Sequence, residues 1–309
     1  MGRYVARRLL QMIPVFIGST LLVFLMMYAL PGDPVRALAG EQHVDASQIA
    51  AMKADLGLDK PIWLQYLHYL GNLFQGDLGI QIGTQRPVAE VISEAYPITV
   101  RLAIFAFVFT VVAGISLGII AGLKAESLRD RGLLGLTLVL ISMPSFVLGF
   151  LVQYLFAFQL GIANPNVSLE PTNTELIMPA MVLASLSLAY VARLTRTSVA
   201  ENIRADYMRT AVAKGLPRRR IVGIHLMRNS LIPVVTFLGT DIGALMGGAI
   251  VTEGIFNIKG VGSLVFEALK KREGATVVGV VTLLVVVYLI CSLLVDLLYA
   301  VLDPRIRYA

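Results

Sequence analysis

Six stretches of this sequence, 9–30, 102–123, 132–160, 176–192, 230–252 and 274–302, contain no Lys, Arg, Asp or Glu apart from Asp241 and Asp296. A helix over 9–30 would rise roughly 33 Å, enough to cross a hydrocarbon core of about 30 Å. In hydrocarbon every backbone N–H and C=O must be satisfied within the protein, so continuous apolar runs of this kind are read as helices. The fold class that follows is an all-α polytopic membrane protein with six transmembrane helices. The 57% hydrophobic and 15% charged residues agree, because a soluble domain of 309 residues does not bury that much apolar surface. The first run is longer than the apolar centre of a signal peptide. It ends in Leu30-Pro31-Gly32-Asp33-Pro34 rather than a small-residue cleavage site, so it reads as an uncleaved span.

Three segments follow: 1–32, the N-terminus and first span; 33–96, which lacks a spanning run; and 97–309, the membrane core, containing a basic loop at 193–229. In the middle segment Asp45 and Gln48 have capping-box spacing and Gly57 suits a helix end. Asp59 and Pro61 suit the start of another helix, which carries Trp63, Tyr66, Leu67, Leu70 and Phe74 on one stripe. Such an amphipathic helix lies along the membrane interface or covers other helices. Within the core, Pro144 is expected to kink the third span, 162–175 reads as a turn-rich loop, 176–192 is the shortest span and 253–273 is a charged loop.

Charge sets the orientation. Of 26 Lys and Arg, nine lie in 193–229 and three precede the first span, while the alternate loops hold most of the acidic residues. By the positive-inside rule both termini and the 193–229 loop are cytoplasmic, and 33–96 is an extracytoplasmic helical insertion between spans 1 and 2. The stretch 206–233 then reads as two short cytoplasmic helices. Gly215 supplies a left-handed stop for the first and Pro217 opens the second.

Several function classes lose support on chemistry. No G-x-x-x-x-G-K-[ST] cradle for a nucleotide phosphate is present, so an ATP-driven pump would need a separate source of energy. None of the three His falls within a span, and the single cysteine, Cys291, has no ligating neighbours in sequence, which argues against a membrane protease or a metal site. A basic stretch between six spans does not point to nucleic acid. Asp241 and Asp296 are intramembrane carboxylates, and groups of that kind often serve transport, so an ion-coupled secondary transporter or channel stays open as an alternative.

The run Arg209-Thr210-Ala211-Val212-Ala213-Lys214-Gly215-Leu216, followed by Asn229, Leu231, Ile232 and Pro233, resembles the EAA loop of ABC-importer membrane subunits. Further pieces agree in order along nearly the whole chain: Leu56-Gly57-Leu58-Asp59-Lys60-Pro61, Gly76-Asp77-Leu78-Gly79, Pro144-Ser145-Phe146, Gly247-Gly248 through Glu253 and Phe256, and Leu302-Asp303-Pro304-Arg305. The chain is most similar to the B-type permease of dipeptide, oligopeptide and nickel-type importers. Two departures stand out: Gln81 where that family usually has Ser, and Lys259 where it usually has Pro.

The resemblance implies a type I importer permease fold in a prokaryotic cell membrane. It implies three kinds of neighbour besides lipid: a second homologous permease forming a heterodimer, two ATPase subunits or domains, and an extracytoplasmic substrate-binding protein. No cofactor or metal is expected on this chain, which is not itself an enzyme; ATP and Mg would sit on the ATPases. The coupling residues implied are Tyr207, Thr210, Ala211, Lys214, Gly215, Leu216, Arg218 and Arg219. Tyr207 and Leu216 are expected as apolar anchors for the ATPase, with Ala211 permitting close approach. The pathway is expected along polar or small positions of kinked and glycine-rich spans: Ser142, Ser145, Gln153, Thr240, Asp241, Gly243 and Met246. For Gly239, Gly243 and Gly247, spaced by four, close helix packing is the competing reading.

Overall fold

The computed structural model describes residues 2–28, 47, 59–81, 83–246 and 250–302. The helix expected between Asp45 and Gly57 lies outside the described residues apart from Ser47, as do Gly247, Gly248 and the 303–309 tail. Twelve helices follow among the described residues: α1 (Gly2–Tyr28), α2 (Ile62–Phe74), α3 (Val88–Gly122), α4 (Leu128–Ser142), α5 (Ser145–Gln159), α6 (Ile177–Asn202), α7 (Asp206–Ala213), α8 (Arg218–Ser230), α9 (Ile232–Met246), α10 (Ile250–Ile255), α11 (Val261–Lys271) and α12 (Gly274–Leu302). Four unbroken helices, within α1, α3, α6 and α12, are long and apolar enough to cross a membrane. Two bent pairs reach that length together: α4 with α5, turned by 108° at Met143-Pro144, and α8 with α9, turned by 51°.

α6 is the pillar of the bundle. Fourteen of its residues are buried, among them Ala184, Ala189, Val191, Ala192 and Thr195. Its closest neighbour is α3, and sequence explains the closeness: Gly114, Gly118 and Gly122 repeat every four residues along one face of α3. A Cβ on Gly118 would lie 2.5 Å from Thr195 Cβ and 2.6 Å from the Ala192 carbonyl; one on Gly122 would lie 2.8 Å from the Arg196 carbonyl. Without hydrophobic pressure between helices in lipid, small residues that let backbones meet provide the packing. α6 also runs ten residues beyond the end expected at Ala192. It can do so because Arg196 is met by Asp130, the buried acidic residue in the first turn of α4. Nε and Nη2 of Arg196 donate to the two carboxylate oxygens at 2.7 and 2.5 Å.

The stripe expected on α2 divides. Tyr66 is buried against Phe24 of α1, with ring centroids 5.4 Å apart, and its hydroxyl donates to the Ile17 carbonyl at 3.1 Å. Tyr69 shares a 2.6 Å hydrogen bond with Thr282 of α12, while Trp63, Leu67 and Phe74 remain exposed. α2 therefore covers α1 and α12 with one face and leaves a second apolar face open. At the other end of the chain, Arg8 Nη2 donates to Asp296 Oδ1 at 2.9 Å, which brings the start of α1 beside the last turns of α12.

The 253–273 segment, expected as a charged loop, contains α10 and α11. Lys259, Glu267, Lys270, Lys271 and Arg272 are exposed while Val261 and Val265 pack against Val88, Ile92 and Ala95 of α3 and Val280 of α12. In the turn-rich loop before α6, the Ser168 hydroxyl and the Thr172 N–H donate to Glu175 and hold its carboxyl below the usual carboxylate range. Gln81 is buried and organises the next turn, its carbonyl accepting from Gln85 N–H and its side chain from the Thr84 hydroxyl. Lys259 pairs with Glu267 at 3.5 Å on the surface.

Candidate functional site: a helical elbow at one end of the bundle

α7 ends as the sequence requires. Gly215 takes φ +70°, its N–H donates to Val212 O at 2.9 Å, and Leu216 N–H reaches Ala211 O at 3.4 Å. This pair of bonds satisfies carbonyls that a helix end leaves bare, and the left-handed residue between them favours glycine. Pro217 then precedes α8, whose first N–H groups need no intrahelical partner. α8 contains a widened turn at Ile221–Leu226 before its bend into α9.

The underside of this elbow is apolar. Met208, Ala211, Ile221 and Leu226 are buried with Val199 of α6, and Leu216, Ile119 and Leu123 pack around them. Ala211 and Leu216 therefore seat α7 on its own spans rather than facing outward. Outward stand Arg209, Thr210, Val212, Lys214 and Gly215, with Arg218, Arg219 and Arg220 beyond the turn. Tyr207 is exposed along its ring and donates its hydroxyl to Asn202 Oδ1 at 2.7 Å. Three arginines in the first turn of a helix oppose its dipole, by about 0.3–1 kcal/mol each at an exposed site. Among the described residues none of the three has an ion-pair partner, so the elbow presents a cationic outer face over an apolar seat.

The expected pathway residues separate into groups. Ser142 and Ser145 flank the 108° bend between α4 and α5 and are exposed. Thr240 is exposed on α9, its hydroxyl donating back to Phe237 O at 2.8 Å. Asp241 lies beside α6: Ser187 Oγ donates to its Oδ1 at 2.7 Å, and Oδ2 is buried with no hydrogen-bond partner among the described residues. Tyr190, exposed one turn along α6, stacks near Phe237 with centroids 6.0 Å apart. Gln153 is committed elsewhere, donating to Pro165 O at 2.6 Å and Ile255 O at 3.5 Å. Gly243 packs on α12, where a Cβ would meet Cys291 Cβ and Tyr288 Cδ2 at 3.3 Å, and Gly239 packs on Val295. These two glycines take the packing role. Met246 ends α9.

Sequence reasoning missed Ser187 and Tyr190 because they look like ordinary members of an apolar run. It missed the Asp130–Arg196 pair because partners 66 residues apart leave no local signal. It also passed over the Gly114, Gly118, Gly122 repeat, although small residues at intervals of four are a signal that could have found it.

With this geometry the chain can be set beside known proteins. Residues 114–308 match the family described as binding-protein-dependent transport system inner membrane component, and residues 1–103 match its N-terminal component. The dipeptide transport system permease protein DppB of Escherichia coli (strain K12) is 38% identical over 337 aligned positions, covering 100% of this chain and 99% of the relative. The di/tripeptide transport system permease protein DppB of Pseudomonas aeruginosa (strain UCBPP-PA14) is 37% identical, with 99% and 98% covered. The glutathione transport system permease protein GsiC of Escherichia coli O6:H1 is 38% identical with both chains covered in full. The elbow, the apolar helices and these matches define a membrane permease of the ABC-importer class. The chain belongs to the family of binding-protein-dependent transport system inner membrane components.

Proposed function

We propose that this chain forms half of the membrane pathway for uptake of di- or oligopeptides, its partner half being a second homologous permease. The names of its relatives support the substrate class. The observation that carries the mechanism is the elbow, in which an apolar seat fixes α7 to α3 and α6 while Thr210, Lys214, Gly215, Arg218 and Arg219 stand free on its outer side. Two ATPase subunits grip that outer face on the cytoplasmic side, where acidic groups meet Arg218 and Arg219. ATP and Mg belong to those subunits, and this chain holds no cofactor. Closure of the ATPases moves α8 and α9 as levers and switches the pathway between its outward-open and inward-open forms.

Each bent pair counts as one passage in this reading, giving six spans, with both termini on the cytoplasmic face of a prokaryotic inner membrane. The clustering of Lys and Arg in 193–229 supports the sidedness, and the Arg8–Asp296 contact supports termini on one side. α2 and α11 then lie on the extracytoplasmic side, where a substrate-binding protein delivers its ligand. Ser142, Ser145, Thr240, Asp241 and Met246 line the pathway, with Ser187 and Tyr190 added from α6.

The test is uptake of a labelled dipeptide by proteoliposomes carrying the full complex and its binding protein. Uptake is expected to require ATP and both permeases, and Asp241→Asn to slow it while ATPase assembly stays intact. Uptake by this chain alone under an ion gradient, without ATP, would replace the reading with that of an ion-coupled transporter. An unchanged rate in Asp241→Asn would remove Asp241 from the pathway.

A further inference from the structure

At the end of the bundle opposite the elbow, one carboxylate joins three helices. Glu253 of α10 is fully buried, and among the described residues no basic side chain pairs with it. Its Oε1 accepts from the Thr99 hydroxyl of α3 at 2.8 Å, and its Oε2 accepts from Ser263 N–H in the first turn of α11 at 2.9 Å. Thr99 Oγ1 in turn accepts from Val261 N–H at 3.0 Å. α11 has no side-chain cap of its own at Gly260, so its bare N-terminal donors are capped from two other helices. The fit is close: a Cβ on Gly260 would meet Thr99 Oγ1 and lie 2.5 Å from Glu253 Oε1, and one on Gly262 would lie 2.9 Å from Glu253 Oε2. Both glycines leave room for this carboxylate, and Gly262 for the Ile250 backbone as well.

A buried carboxyl group without a counter-cation depends wholly on its hydrogen-bond partners, because leaving its oxygens or the N–H groups bare in a buried site is costly. A movement that pulled α10 from α11, or either from α3, would do that. We propose that Glu253 and Thr99 are positioning residues that bind α10, α11 and the Val88 end of α3 into one rigid body, so that movement of α9 is delivered to the far mouth of the pathway undivided. The proposal rests on the reading of α8 and α9 as levers.

Two measurements on the full complex test it. Thr99→Val keeps the shape and removes the hydroxyl; it is expected to raise the ATP hydrolysed per labelled dipeptide taken up several-fold, with Thr99→Ser restoring the ratio. A Thr99→Val complex that hydrolyses and transports at the unmodified ratio overturns the proposal, and so does one in which both rates fall together with the ratio kept. Independently of any variant at the cap, spin labels on the exposed positions Val251 and Phe266, placed in a Cys291→Ser background, are expected to keep their separation when nucleotide is trapped. A changed separation overturns the rigid-body inference. Absence of dipeptide uptake by the unmodified complex would instead strike at the proposed substrate, and the label separation would still decide this question.

Discussion

Gly215 holds the elbow at φ +70°, and a Cβ there would meet nothing within 4 Å. The cost of a side chain is therefore in the backbone alone, about 1–2 kcal/mol for a residue forced left-handed. Gly215→Val is expected to reduce ATP-driven uptake and co-purification of the ATPases while membrane insertion is kept, and Gly215→Asn, which tolerates this region better, to retain most of both. Normal uptake by Gly215→Val would show that the turn does not carry coupling. Gly215 and Pro217 were legible because their roles depend on φ and on a missing donor, properties of single residues. Ala211 and Leu216 belong to the elbow as well, yet their inward direction was not legible. Which face of an eight-residue helix meets the protein is decided by what packs beneath it, here Val199, Ile119 and Leu123.

Helices show the same division. The apolar runs announced α1, α3, α6 and α12, since a spanning helix must be long and uncharged. They did not announce α10, whose one acidic residue is buried against other helices, or α11, which needs only one apolar face and keeps Glu267, Lys270 and Lys271 exposed on the other. The pairing of α3 with α6 rests on glycines whose replacement is blocked by backbone as well as side chain. Gly118→Ala is expected to lower thermal stability by about 1–3 kcal/mol, the usual cost of overpacking a core. Gly135→Ala on α4, where a Cβ meets nothing within 4 Å, is expected to be neutral or slightly stabilising. Unfolding monitored by near-UV signal in detergent compares the two, and equal melting temperatures would mean that the glycine contacts do not hold the helices together.

Across the whole molecule, α1 and α12 close the bundle through Arg8 and Asp296, whose side chains are 41% and 16% exposed. A fully buried pair loses 3–5 kcal/mol when one partner is removed; discounted for the exposed arginine, Arg8→Ala is expected to cost about 1 kcal/mol. A double-mutant cycle with Asp296→Ala measures the coupling, and a value near zero would leave the closure to apolar packing alone. From sequence, the number and length of apolar runs, the gathering of basic residues in 193–229 and the turn chemistry at Gly215 and Pro217 were determined, because each is local: a run of uncharged residues, a cluster of Lys and Arg, backbone φ. Only the tertiary structure decided that Arg196 meets Asp130, that Asp241 meets Ser187, and that Glu253 caps α11 with help from Thr99. Those pairs span 54 to 154 residues apart from the cap bond itself, and a buried carboxylate takes its partners from whichever helices the packing of small residues brings beside it.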